Sequence, residues 1–89
     1  MSGAAADRLL ELARLLRTCG DERAAWLDEQ APRIRAGEPG AVAEVRARIG
    51  GGMGLIIDTP LRPLPGSGIS AEEANDELWR LVEAFDSAL

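Results

Sequence analysis

The sequence predicts an all-α protein, a small four-helix bundle with a long Gly/Pro-rich ordered loop before the last helix. Apolar residues recur at three- and four-residue spacings in four segments, as they do on the buried face of a helix. Most of the glycines and prolines fall in one stretch, about residues 50–69. The chain has 89 residues, which is enough for one core, so we expect a single helical domain, 1–89.

The first predicted helix spans about Ala4 to Thr18. Gly20 supplies its C-terminal stop, because glycine adopts the left-handed conformation that ends many helices. Its buried face is a line of apolar residues widened by two more leucines: Leu9, Leu12, Ala13 and Leu16, with Leu10 and Leu15.

Asp21 is expected to be the N-cap of a second helix that runs to about Arg35. The join is so short that the two helices should form an antiparallel hairpin. The buried line of the second helix is Ala24, Leu27, Ala31 and Ile34. Pro32 lies inside this segment and removes one backbone donor, so we expect either a kink or a helix end with a new start near Ala31.

The third and fourth predicted helices flank the loop. Pro39 suits a first-turn position, which predicts a helix from about Pro39 to Ile49. Ser70 and Glu73 have the Ser-x-x-Glu spacing of a capping box, which predicts a last helix from there to about Ala88. The residues expected to face inward are Val42, Val45 and Ile49 in the third helix, and Ala74, Leu78, Leu81, Val82, Phe85 and Leu89 in the fourth.

The loop between these helices begins with Gly50, Gly51, Gly52 and Gly54 and continues through the apolar run 55–57. A single strand there would have nothing to pair with, so we expect an ordered loop across the helices. Its prolines at 60, 63 and 65 have a Pro-x-x-Pro spacing. This spacing suits either a polyproline-reading partner or a stiff linker, and we favour the linker.

The net charge of −5 is unevenly distributed. All ten basic residues are arginine, and residues 70–89 contain six acidic residues but only one arginine. An acidic helix repels phosphate backbones, which disfavours nucleic-acid binding and favours a basic partner protein. No apolar stretch is long enough to span a membrane, and no basic leader precedes one. Cys19 is the single cysteine, so we expect a reducing compartment, the cytoplasm.

The residues do not indicate catalysis, a metal or a cofactor. Gly51-Gly52-Met53-Gly54 lacks the Gly-Lys-Ser/Thr ending of a phosphate-binding P-loop. The chain has no histidine and no evident pair of nucleophile and base. Cys19 is at the end of a helix, where the dipole should raise its pKa. The acidic residues at 72, 73, 76 and 77 have spacings that could hold a hard cation, but a solvated face that matches the helix dipole is favoured.

Two tryptophans, Trp26 and Trp79, lie at the border of their helices' apolar lines. A border tryptophan is either half-buried core or an interface anchor, since tryptophan is enriched in binding hot spots. If the protein binds a partner, the candidate contact residues are Trp26, Trp79, Met53, Asp58, Glu72, Glu73, Asp76 and Glu77.

The sequence also resembles a family of short bacterial proteins, a domain of unknown function. The resemblance lies in Trp26-Leu27, in Ile34 with Gly37, and in Gly51-Gly52-Met53-Gly54, and it covers about residues 9–58. The family pattern continues with a serine and then an Asn-Asp pair, where this chain has Leu55 and only Asp58. The family implies no activity, although its members look like the small acidic immunity partners of secreted toxins.

Three functions follow as expectations. The first is a protein-binding module without catalytic activity, for which an immunity-type inhibitor of a basic partner is the specific form. The second is a self-associating helical homodimer that uses spare apolar surface at Leu10, Leu15 and Trp26. The third and weakest is a small-molecule binder that uses the glycine-rich loop.

Overall fold

A computed structural model of the chain describes residues 3–49 and 60–89. Within these ranges the protein is all-helical, with no strand and with four helices: α1 (Gly3–Thr18), α2 (Arg23–Arg35), α3 (Ala41–Ile49) and α4 (Ala71–Ser87). α1 packs against both α2 and α4, and α2 also packs against α3. None of these helices is both long and apolar enough to cross a membrane. The predicted loop residues 50–59, including Met53 and Asp58, lie outside the described residues.

The predicted stop at Gly20 is confirmed. Gly20 has a φ of 67°, the left-handed conformation that glycine adopts without strain. Its N–H donates to the Arg17 carbonyl at 3.0 Å, and the Asp21 N–H donates to the Leu16 carbonyl at 2.9 Å. These two bonds are those of a Schellman motif, which satisfies the last carbonyls of α1. The chain then reverses, and the ion pairs Arg17–Asp28 and Arg35–Asp7 join α1 to α2 in antiparallel order.

Asp21 is not the N-cap that the sequence suggested. α2 begins at Arg23, with Glu22 at the N-cap position and no side-chain hydrogen bond from it. The Asp21 carboxylate nevertheless accepts the Arg23 backbone N–H at 2.9 Å. Asp21 therefore accepts one of the free backbone N–H groups at the start of α2, but it does so from the position before the N-cap.

Of the two alternatives expected at Pro32, the helix end is wrong, because α2 runs as one helix through the proline, while the kink stays a prediction. Leu27 and Ile34, on either side of it, are fully buried. Burying two such side chains stabilises by about 1.5–3 kcal/mol each, which offsets a proline cost of about 3 kcal/mol. Pro32 itself is exposed, so its ring faces solvent rather than the core.

α3 begins two residues later than predicted. Pro39 and Gly40 form the turn before it, and Gly40 has a φ of 83°, which a first-turn helical residue cannot have. Val45 and Ile49 are buried as expected, whereas Ala41 takes the third buried position and Val42 is only partly buried.

The predicted inward faces of α1, α2 and α4 form most of the core, although Val82 is only partly buried and Leu89 is exposed. Leu15 is also buried, and Leu10 packs against the core from a partly buried position. Leu89 was expected inward but is 47% exposed, because α4 ends at Ser87 and the helical spacing no longer applies. The capping box is confirmed: Glu73 N–H donates to the Ser70 hydroxyl at 3.0 Å, and Ser70 N–H donates to the Glu73 carboxylate at 3.1 Å.

The proline segment 60–65 is held by backbone hydrogen bonds and by one buried side chain. Leu61 is 3% exposed. The Asn75 side chain accepts the Leu61 N–H at 2.9 Å and donates to the Leu61 carbonyl at 3.1 Å. At the other end, the Leu64 N–H donates to the Thr18 carbonyl at 3.0 Å. The segment therefore connects the C-terminus of α1 to the first turns of α4.

We expect Asn75→Ala to lower the free energy of unfolding by about 1–3 kcal/mol, because it leaves both polar groups of the buried Leu61 backbone without a partner. Urea denaturation followed by circular dichroism measures this change. The matched control is Glu83→Ala, an exposed position of the same helix, which should stay within about 0.5 kcal/mol of the wild type. Equal losses in the two variants would show that the Asn75 clamp does not stabilise the fold.

Candidate functional site

The surface that stands out is the outer side of α4, which we call the acidic face. It consists of Trp79 with acidic residues before and after it along the helix: Glu72, Asp76, Glu83 and Asp86. Their spacings place all five side chains within about 80° of the helix circumference and along about 21 Å of its length. All five residues are exposed. The acidic face is therefore one continuous strip.

The acidic face lies opposite the buried side of α4. That buried side consists of Ala74, Leu78, Leu81 and Phe85. Helical geometry puts these residues about 100–160° around the helix axis from Trp79. Trp79 is 51% exposed, and it is one of three large hydrophobic side chains that are about half exposed among the described residues. Its indole does not contribute to the core.

Two of the predicted acidic contact residues have other partners. Glu73 completes the capping box with Ser70. Glu77 forms an ion pair with Arg80, and the Arg80 Nε donates to the Glu77 carboxylate at 2.9 Å. This hydrogen bond lowers the pKa of Glu77 below its ordinary value. Glu73 and Glu77 therefore lie beside the acidic face and already have partners within α4 or at its start. The other two predicted residues, Glu72 and Asp76, belong to the acidic face.

Ion pairs with arginine neutralise most of the described acidic side chains outside the acidic face, and one on it, Asp86. Eight carboxylates of the described residues lie in ion pairs with arginine: Asp7–Arg35, Glu11–Arg8, Asp21–Arg23, Asp28–Arg17, Glu38–Arg33, Glu44–Arg33, Glu77–Arg80 and Asp86–Arg46. Six carboxylates have no arginine ion pair within residues 3–49 and 60–89, and three of them lie on the acidic face: Glu72, Asp76 and Glu83, beside Glu22, Glu29 and Glu73 elsewhere. Negative charge is therefore left uncompensated on the acidic face.

The helix dipole explains only part of this charge. Glu72 lies in the first turn of α4, where the dipole stabilises a carboxylate. Glu83 and Asp86 lie towards its C-terminus, where the dipole disfavours negative charge. Asp86 is within 3.5 Å of the Arg46 side chain, which offsets that cost. Glu83 has no such compensation among the described residues, so helix stability does not account for its charge.

Trp26 has a different environment from Trp79. It is partly buried and packs against the core from α2. The guanidinium of Arg48, on α3, lies over its indole, with its carbon 4.9 Å from the ring centroid. Such a cation–π contact contributes about 0.5–1 kcal/mol at an exposed site. The fold does not bring Trp26 and Trp79 together, and Trp26 serves the packing of α2 with α3.

A shallow cavity of about 370 Å³ lies where segment 60–65 meets the turn between α1 and α2. It is lined by Cys19, Asp21, Pro60, Leu61 and Arg62. Burial raises the pKa of the Cys19 thiol, and the charge of Asp21 raises it further. The sequence predicted a raised Cys19 pKa, which is confirmed, but the causes are burial and Asp21 rather than the helix dipole. At neutral pH the thiol therefore stays protonated and is a poor nucleophile.

Among the described residues, no three histidine, cysteine or acidic side chains are grouped closely enough to hold a metal ion. The four acidic residues at 72, 73, 76 and 77 therefore do not form such a group, because the helix distributes them over different sides.

Sequence reasoning named two of the four carboxylates on the acidic face and missed Glu83 and Asp86. The signal that finds them is the continuation of the spacing i, i+4, i+7, i+11 and i+14 from Glu72. Met53 and Asp58 lie outside the described residues.

Comparisons with protein-family models, with curated protein sequences and with solved structures found no significant match to this chain. The resemblance to the family with the Trp-Leu and Gly-Gly-Met-Gly pattern therefore stays a prediction.

The two tryptophans should respond differently to truncation. We expect Trp26→Ala to lower the free energy of unfolding by about 2 kcal/mol or more, because it removes a packed indole and its contact with Arg48. Trp79→Ala should lower it by clearly less than Trp26→Ala does, because half of the Trp79 indole is already in solvent and it does not pack against the core. Urea denaturation of both variants provides the measurement. A large loss for Trp79→Ala would contradict the assignment of this residue to a free surface.

Asp21 should make stability depend on pH. The hydrogen bond from the Arg23 side chain lowers the pKa of Asp21 below its ordinary value of 3.8. A lowered carboxyl pKa stabilises the fold above the ordinary value, and this contribution disappears as the pH falls below about 4 and through the folded-state pKa. Asp21→Asn should therefore be less stable than the wild type at neutral pH, and the gap should narrow below about pH 4.

Urea titrations at stepped pH measure this gap. Asp76→Asn is the control, because its carboxylate has no hydrogen-bond partner in the described residues. A gap between the wild type and Asp21→Asn that keeps its size at low pH would contradict the role of the Asp21 charge.

Proposed function

We propose that the protein is a binding module without catalytic activity, and that the acidic face of α4 binds a basic partner protein. The observation that supports this most directly is the half-exposed Trp79 between the uncompensated carboxylates of Asp76 and Glu83. Neither the core nor the helix dipole requires these three side chains. Side chains that the fold does not require are candidates for contact with another molecule.

The composition of the acidic face suits a protein partner. Protein interfaces commonly place an aromatic anchor at the centre and charged residues at the rim. The acidic face has this order, with Trp79 in the middle and Glu72 and Asp86 at its ends. Its negative charge repels the phosphates of nucleic acids and of anionic membranes, so these partners are disfavoured.

Charge complementarity would act on the rate of association as well as on specificity. Uncompensated carboxylates attract a positively charged surface over about 10 Å at an ionic strength of 0.1 M. Added salt shortens that range, so association with the partner should slow as salt increases.

We also propose that the helices form a four-helix bundle in which residues 50–69 are an ordered loop. The contacts of α1 with α2 and α4, and of α2 with α3, support this arrangement. The buried Leu61 and its bonds to Asn75 support an ordered path for the end of the loop. Such a bundle would present α4 as a rigid surface, and the lone Cys19 favours the cytoplasm as its compartment.

The specific binding function that we propose is that of an immunity-type inhibitor. Its support is the resemblance to the family with the Trp-Leu and Gly-Gly-Met-Gly pattern. Self-association is the alternative, but the apolar surface expected for it is largely used within the fold. Leu15 is buried, and Leu10 and Trp26 pack against the core. Trp79 is the residue through which a homodimer would have to form. The weaker alternative, a small-molecule site at the glycine-rich loop, rests on residues 51–54, which lie outside the described residues.

The test is affinity capture from a lysate of the source organism with three forms of the full chain as bait. These are the wild type, the double variant Asp76→Asn/Glu83→Gln, and the control Glu22→Gln/Glu29→Gln. The control removes the same charge from exposed positions of the α1–α2 turn and α2. We expect a basic protein that the wild type and the control retain, that salt elutes, and that the acidic-face variant binds about tenfold more weakly or worse.

Two results would contradict the proposal. One is a partner retained equally by all three baits, since the acidic face would then have no part in binding. The other is a dimer in sedimentation equilibrium that Trp79→Ala dissociates, since the acidic face would then serve self-association.

A further inference from the structure

The neighbours of Trp79 on the helix surface indicate what kind of basic group it can receive. Asp76 precedes it by three residues and Glu83 follows it by four, so each lies about 5–6 Å away between Cβ atoms. The indole is therefore an exposed aromatic surface with a carboxylate on each side along the helix. A cation that stacks on the ring would have hydrogen-bond acceptors within reach at both edges.

The side chains of arginine and lysine differ in how well they bind to such a surface. Guanidinium is planar and weakly hydrated, and it can stack on an aromatic ring while its edge N–H groups donate to carboxylates. The ammonium of lysine is compact and strongly hydrated, and it cannot stack. A ring flanked by carboxylates therefore discriminates in favour of arginine.

An arginine over a tryptophan ring already occurs within this protein. The guanidinium carbon of Arg48 lies over Trp26, 4.9 Å from the ring centroid. Trp79 offers the same ring at greater exposure, and no arginine of the described residues covers it. Arg80, the next residue, is held to one side by its ion pair with Glu77. The stacking position on Trp79 is thus open to an arginine from another molecule.

The geometry points to an arginine of the partner protein as the group that docks on Trp79, with its guanidinium stacked on the indole and hydrogen-bonded to Asp76 and Glu83. This inference rests on the proposed binding function and specifies the partner as an arginine-bearing segment rather than a generally basic surface.

The experiment compares two synthetic peptides with equal charge, one of alternating arginine and alanine and one of alternating lysine and alanine. Fluorescence anisotropy of the labelled peptides gives their affinities for the full chain. Heteronuclear NMR reports the two indole N–H signals, and Trp79→Phe identifies which belongs to Trp79. We expect the arginine peptide to bind about fivefold more tightly and to shift the Trp79 signal while leaving that of Trp26 in place.

The variants separate stacking from charge. Trp79→Ala should remove the preference for arginine and leave a weaker, equal affinity for both peptides. Asp76→Asn/Glu83→Gln should weaken both peptides, and Glu22→Gln/Glu29→Gln should keep the preference intact. Equal affinity of the wild type for the two peptides would overturn the arginine inference. If the acidic-face variant then bound neither peptide, that result would still agree with the proposed function. A preference for arginine that persists in Trp79→Ala would overturn it as well.

Discussion

The packing of α1 against both α2 and α4 is the contact on which the rest of the structure depends. Leu9, Leu12 and Leu16 of α1 are fully buried, and α1 packs against two neighbouring helices. A chain of 89 residues has room for one core, and Cys19 has no partner with which to form an internal disulfide. The shared apolar surface of α1 is therefore the main source of stability, and α3 is added to this unit through α2.

The same packing determines which part of α4 is free to bind. α4 uses one apolar stripe for the core, and a helix that is buried on one side exposes the opposite side. Ser70 and Asn75 fix where α4 begins, the first by capping its first turn and the second by holding Leu61 against it. With its start and its buried side both fixed, the helix can place Trp79 outward only. The candidate binding surface is thus a direct consequence of the core.

Sequence patterns that span only a few residues predicted the fold well. Features that depend on contacts between distant residues could not be predicted. The Ser70–Glu73 capping box and the stop at Gly20 are local, so both could be identified from the sequence. The helix end that was one of two alternatives at Pro32 did not form, because burial of Leu27 and Ile34 on both sides of the proline offset the lost backbone donor. Asn75 could not be predicted as a clamp, because its partner Leu61 is fourteen residues away and meets it only in the folded chain.

The site was predictable as a charged segment but not as a surface. Trp26 and Trp79 have the same local pattern, and the folded chain separates them by placing Arg48 on only one of the rings. The surroundings of the acidic residues of α4 likewise distinguish those with a structural role from those without one. Glu72 matches the dipole, Glu73 caps the helix, Glu77 pairs with Arg80, and Asp86 pairs with Arg46. Within the described structure this leaves Asp76 and Glu83, and these two flank the one tryptophan that the core does not use. Two charges and an aromatic ring that folding does not require thus lie side by side, and this arrangement is the support for the proposed binding function.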